Sequence, residues 1–298
     1  MTHPLRGILA LLVVTLVWGT TFPAMKDLTA TLSPAWIVFT RFAIAAVLLA
    51  PFFVRAARSD LASGLLLGLL LFCCYVFQVE GLALTSSNRN AFICGLNVLI
   101  VPLLGMLAGR APERRIAVAL LLAVAGLAAL CWDGGAWSFG DNLALGAALC
   151  FGLYIKLMEV RTRAAKRLMT VTATQILTVA LCAGAWLLLT EVPLAGGAGP
   201  YWLNIYASIK GELYNIVYLG VLCTAAIISL QSWGQRHSTA NEAAVIYAFE
   251  PAAAAVFGFF WLGETMTGRG WIGAALLISG MIVSQWNTER PAGALVPE

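Results

Sequence analysis

Residues Ala240–Leu262 read ANEAAVIYAFEPAAAAVFGFFWL, an apolar run long enough to cross a bilayer as helix. Glu250 interrupts it near the middle, directly before Pro251, with no lysine or arginine within two helical turns. A carboxylate in hydrocarbon costs several kcal/mol, so it faces a cavity, finds a partner or keeps its proton. Two readings stay open at this point. Glu250 is a neutral acid bonded across a helix interface, or it belongs to a substrate or proton site.

The rest of the chain repeats this character. Of its 298 residues 61% are hydrophobic and only 11% charged, with mean hydropathy +0.88. Soluble domains carry roughly 25% charged residues. The pattern predicts an all-α integral membrane protein with ten transmembrane helices, near 7–25, 34–54, 62–84, 90–109, 114–132, 141–158, 168–190, 213–235, 241–262 and 270–287. Arg6 precedes the first apolar run as in a signal peptide, but the run continues through Trp18-Gly19-Thr20 without a small-residue cleavage site, which predicts a retained helix.

Basic residues orient the helices. Twelve lysines and arginines fall on the N-terminal side of this topology and four on the other, which predicts both termini in the cytoplasm and a cytoplasmic (inner) membrane location. The net charge of +4 reflects that bias, so no nucleic-acid partner is expected. The seven cysteines lie within or at the ends of spans and show no metal-ligand spacing, as expected of free packing thiols. A loop that cradles phosphate, a histidine cluster and a nucleophile beside a base are all missing from the sequence. The expectation is therefore a non-enzyme without ATP drive, cofactor or metal.

The chain also looks duplicated. A shift of 153 positions places Gln78 on Gln231, Gly81 on Gly234, Gly105 on Gly258 and Asn97-Val98 on Glu250-Pro251. A slightly different shift places Trp18-Gly19 on Phe151-Gly152 and Arg41 close to Gln175. Two five-helix repeats, 1–135 and 136–298, follow, with a joint near 133–141. Five helices per repeat put the second repeat in inverted orientation, an arrangement that lets two halves rock about a central site.

At this point a family resemblance carries weight. Trp18-Gly19-Thr20, Lys26, Ser33-Pro34 and Arg41 resemble the opening signature of the drug/metabolite transporter superfamily, EamA branch. Ser238-Thr239-Ala240, Glu250-Pro251, Trp261-Leu262-Gly263-Glu264 and Gly273…Gly280 resemble the signature of its second repeat. The resemblance implies ten helices, cytoplasmic termini, a cavity between the repeats and transport of small metabolites, often export, amino acids among them. Many first repeats of that family carry a proline motif where this chain has Asn97-Val98, with Pro102 a turn later.

A carrier cavity needs polar and aromatic side chains at mid-membrane depth on several helices. Tyr75 and Gln78 share a face of the third span. Gln231 stands in the eighth span, close to Trp233, and Asn97 in the fourth. Tyr247 shares a face with Glu250, and Trp18 and Tyr154 mark similar depths in spans one and six. Each amide taken singly also fits a helix–helix hydrogen bond. Together they suit an amino acid or similar amphiphile, with Glu250 the candidate proton carrier if transport is proton-coupled. A drug or toxic-metabolite efflux carrier and a non-transporting membrane scaffold are the alternatives.

Other polar residues have plainer expected roles. Arg41 snorkels toward the interface or bonds to helix ends or, alternatively, contacts a substrate carboxylate. Lys156 pairs locally with Glu159, Glu80 is solvated near the outer interface, and Glu264 caps a helix. Gly64/Gly68 and Gly105/Gly109 fit close helix contacts. Trp132, Trp137, Trp202, Trp271 and Trp286 fit an interfacial belt against membrane lipid. The segment 191–212 either lies along the membrane surface or acts as a gate.

Overall fold

A computed structural model describes residues 3–54, 56–85, 87–107, 109, 112–131, 136–193, 198–253, 257 and 267–285, and among them there is helix and no strand. The second half of the ninth predicted span, Trp132, Trp286, Glu264 and part of the joint near 133–141 lie outside the described residues. Among the described residues seven segments are long and apolar enough to cross a membrane, namely Leu5–Leu28, Pro34–Phe53, Arg58–Leu84, Arg89–Leu107, Phe139–Ala164, Leu168–Thr190 and Leu213–Arg236, and Gly268–Ser284 is a shorter apolar helix.

Several predicted spans are built from two pieces. Span one is α1 (His3–Gly19) followed by α2 (Thr21–Leu28), broken at Thr20, whose hydroxyl donates to Val17 O at 2.6 Å. Then come α3 (Pro34–Leu49) and α4 (Arg58–Leu84). Span four divides into α5 (Ser87–Gly95) and α6 (Asn97–Leu107). Next are α7 (Arg114–Cys131), α8 (Phe139–Ala164) and α9 (Leu168–Thr190). The connection 191–212 contains a helix, α10 (Ala198–Gly211). Span eight runs as α11 (Leu213–Val217), a π-helical stretch over Tyr218–Ala226, and α12 (Ile227–Arg236). Finally come α13 (Ala240–Tyr247) and α14 (Gly268–Gln285).

Local chemistry fixes where helices begin. Ser33 caps α3 by accepting from Trp36 N–H at 3.3 Å, with Pro34 at the first helical position. Ser138/Asp141 and Thr239/Glu242 form reciprocal capping boxes at α8 and α13. The capping acid Asp141 is fully buried and takes a charged bond from Arg89 at 2.8 Å, tying the start of α5 to α8. Lys156 and Glu159 pair at 2.7 Å, as their i,i+3 spacing predicts.

Small residues let the helices approach closely. α7 packs on α14, α4 on both α8 and α9, α3 on α9, and α1 on α12. A Cβ on Gly126 or Gly273 would stand 2.8 Å from the other's carbonyl oxygen. Gly64 and Gly68 face Thr174 and Thr178 of α9, as their spacing predicts. Gly109 differs: its φ is +75° and nothing lies near it, so it serves a left-handed turn after α6 rather than a helix contact.

Buried apolar side chains form two clusters. One gathers α2, α3, α4, α9 and the π-helical stretch. The other gathers α1, α6, α7, α13 and α14, and α5, α8 and α12 contribute to both. Trp18 and Phe151 pack against each of them, so the seam runs past these two rings. Trp137, Trp202 and Trp271 are exposed, as belt residues should be.

Candidate functional site

A cavity of ≈ 50 Å³ opens along the seam. That is room for ordered water between the walls. Two broken helices shape it. Pro251 offers no N–H to Tyr247 O and its ring crowds that carbonyl, so α13 stops at Tyr247 and helix resumes at Glu250. In the first half the chain turns at Leu96 and resumes with Asn97, without a proline at the equivalent position. The same bond closes both turns, Leu96 N–H to Ile93 O and Phe249 N–H to Ile246 O, each 3.1 Å.

Eight of the nine residues expected at a site line this cavity: Trp18, Tyr75, Gln78, Asn97, Tyr154, Gln231, Tyr247 and Glu250. Trp233 does not. Two residues beyond Gln231 on α12, it points to another face and stacks on His237 with ring centroids 4.7 Å apart.

The walls are aromatic. Trp18 and Tyr247 lie 5.6 Å apart, and Tyr75 meets Phe42 at 4.9 Å and Phe151 at 6.2 Å, both edge-on. Trp18 Nε1 donates to Cys223 O, within the π-helical stretch, at 3.4 Å. Tyr154 is satisfied by Gln175 Oε1 at 3.0 Å. Other polar groups are not. The Asn97 Oδ1 atom and the Tyr247 hydroxyl are buried without a hydrogen-bond partner, Gln231 standing near Tyr247 without completing one. Buried polar atoms of this kind are rare and call for a ligand or water.

Arg41 is not at the interface. It is 1% exposed, donates from Nε to the Thr224 hydroxyl at 2.9 Å, and lies 4.9 Å from the Tyr75 ring centroid. The snorkelling expectation fails because α3 presents this face to α4 and to the π-helical stretch rather than to lipid. Sequence reasoning also left out Thr21, Met25, Cys94 and Phe151. Two of these carried a signal. Phe151 is the counterpart of Trp18, and Cys94 is the counterpart of Tyr247 at the 153-residue shift.

The model of the EamA-like transporter family matches residues 5–132 and 138–285. This chain belongs to that family. An uncharacterized transporter of Archaeoglobus fulgidus is 28% identical over 281 residues, covering 92% of this chain and 84% of its own. The uncharacterized transporter YwfM of Bacillus subtilis is 31% identical over 67 residues, 22% of this chain. A solved crystal structure superposes with TM-score 0.74 over 94% of this chain and 97% of its own at 19% identity, which shows the fold alone. The EamA-family protein is accordingly a multi-pass membrane transporter, and family and relatives alike are named as transporters rather than enzymes.

Proposed function

We propose that this EamA-family protein is a ten-helix, inverted-repeat secondary carrier that exports amino acids or similar small amphipathic metabolites by alternating access. Its repeats are 1–135 and 136–298, and its termini face the cytoplasm of an inner membrane. The observation that carries the reading is the cavity between the two clusters. Its polar lining comes in repeat-related pairs, Gln78/Gln231 and Asn97/Glu250, with buried polar atoms still unpartnered.

The packing supports the duplication. If span one corresponds to six and three to eight, the α1–α12 contact maps onto α8–α4, while α3–α9 and α7–α14 map onto themselves. The glycines follow the same exchange. A Cβ on Gly7 would stand 3.1 Å from Gly234 O, and one on Gly81 would stand 3.0 Å from Gly140 O. Gly7 and Gly81 reach Gly140 and Gly234 by the shifts that relate Trp18 to Phe151 and Gln78 to Gln231. The two stretches matched by the family model also meet at the expected joint.

In mechanism, the aromatic walls take the apolar part of the substrate and the free amide and hydroxyl groups its polar end. Glu250, at the start of a half-helix, is the candidate coupling group. The test is counterflow of labelled amino acids into proteoliposomes, with and without a proton gradient. Saturable uptake that the gradient stimulates, with stimulation lost in Glu250→Gln, is expected. Uptake indifferent to gradient and substitution would make the protein a facilitator and Glu250 structural.

A further inference from the structure

The cavity holds a cation that nothing in the preceding mechanism uses. A guanidinium presents five N–H donors. In Arg41, Nε is taken by the Thr224 hydroxyl, itself anchored to Leu219 O at 2.8 Å in the π-helical stretch, and Nη1 meets only the Met25 thioether at 3.2 Å. Among the described residues no carboxylate lies within 4 Å of it. A buried cation without an anion is strongly disfavoured. Glu250 lines the same cavity, also without an ion-pair partner among the described residues. Arg41 stands on α3, which contributes to the first cluster, whereas Glu250 follows α13, which contributes to the second. The Arg41 guanidinium and the Glu250 carboxyl thus line one cavity without closing into an ion pair.

We propose that Arg41 is the receptor for a substrate carboxylate, so that the bound molecule spans from Arg41 to Glu250 and carries an anion and a cation at its polar end. The ligand class is an α-amino acid, its side chain against the Trp18 and Phe151 rings. This rests on the carrier reading and narrows it. It explains why the guanidinium is held by Thr224, Met25 and Tyr75 instead of closing onto Glu250: the gap between the charges is the site.

The test uses phenylalanine, phenethylamine, which lacks the carboxylate, and 3-phenylpropionate, which lacks the amine. Counterflow of labelled phenylalanine is measured against each competitor. For wild type, 3-phenylpropionate should compete, because its carboxylate meets Arg41, and Arg41→Gln should cost it at least tenfold while leaving phenethylamine within about twofold. Arg41→Gln should weaken phenylalanine by roughly 10- to 100-fold, the worth of a charge-assisted hydrogen bond, and Arg41→Lys should recover part of it. Thermal melts of each variant separate lost binding from lost folding, and if Arg41→Gln does not fold, the wild-type competition series decides. Failure of 3-phenylpropionate to compete in wild type, or wild-type affinity in a folded Arg41→Gln, overturns the assignment and leaves the carrier standing. No saturable counterflow of phenylalanine and no stabilisation by any probe would instead defeat the amino-acid reading, and the Arg41 assignment with it.

Discussion

At Leu96 the chain turns on a 3.1 Å bond to Ile93 O and resumes as helix with Asn97; at Phe249 it turns on a 3.1 Å bond to Ile246 O and resumes with Glu250. The backbones match, yet one turn is followed by a proline and the other is not. Pro251 explains why α13 stops, but Leu96 turns without such help, so proline is one way to make this break and not its cause in both halves. The surrounding packing sustains the first break. Asn97 O lies against the close approach of Gly152 on α8, where a Cβ would meet Ile100 at 2.5 Å. The side chains after the turns differ more than the turns do. One turn places an amide at the cavity and the other an acid, so the two turns match in backbone and differ in charge.

The sharpest way to break that comparison is to remove the acid and the amide in turn. Glu250→Gln should abolish gradient-driven uptake. Asn97→Ala should keep the gradient response and weaken substrate affinity, as loss of a single neutral hydrogen bond of about 1 kcal/mol requires, a change of roughly fivefold. Equal loss of gradient response in both, measured in proteoliposomes, would mean that the acid has no special part.

The symmetric frame can be tested by overpacking. Gly81→Val and Gly234→Val each force a side chain into a helix contact and should lower the melting free energy by about 1–3 kcal/mol, by similar amounts. Thermal unfolding in detergent reads this directly. A variant that melts as wild type while its counterpart collapses would separate the two contacts.

Tyr247→Phe removes a hydroxyl that has no protein partner, so stability should hold or rise slightly while ligand-induced stabilisation falls by about 1 kcal/mol. A large drop in unliganded stability would place that hydroxyl in the protein's own bonding. The smallest effect belongs to Trp233. On α12, Gln231→Ala should impair uptake, whereas Trp233→Phe, away from the cavity, should leave its rate within about twofold; the reverse order would reassign the face of α12 that meets substrate.

The sequence by itself determined the membrane class, through length and hydrophobicity, and most of the cavity's aromatic and amide residues, because polar groups in apolar helices are expensive and few. It also carried the offsets that pair Gln78 with Gln231 and Asn97 with Glu250, on which the proposed repeat rests. Trp233 was drawn in by its nearness to Gln231 along the chain, although two residues along a helix turn a side chain about 200° away. Only the tertiary structure decided where Arg41 goes. An arginine near a span's end snorkels or is buried depending on what packs over it, and here α4 and the π-helical stretch, distant in sequence, close over it. The break at Leu96 belongs with it. Gly95 weakens the helix there without being enough to end one, and contacts with α8 and α13 hold the break in place.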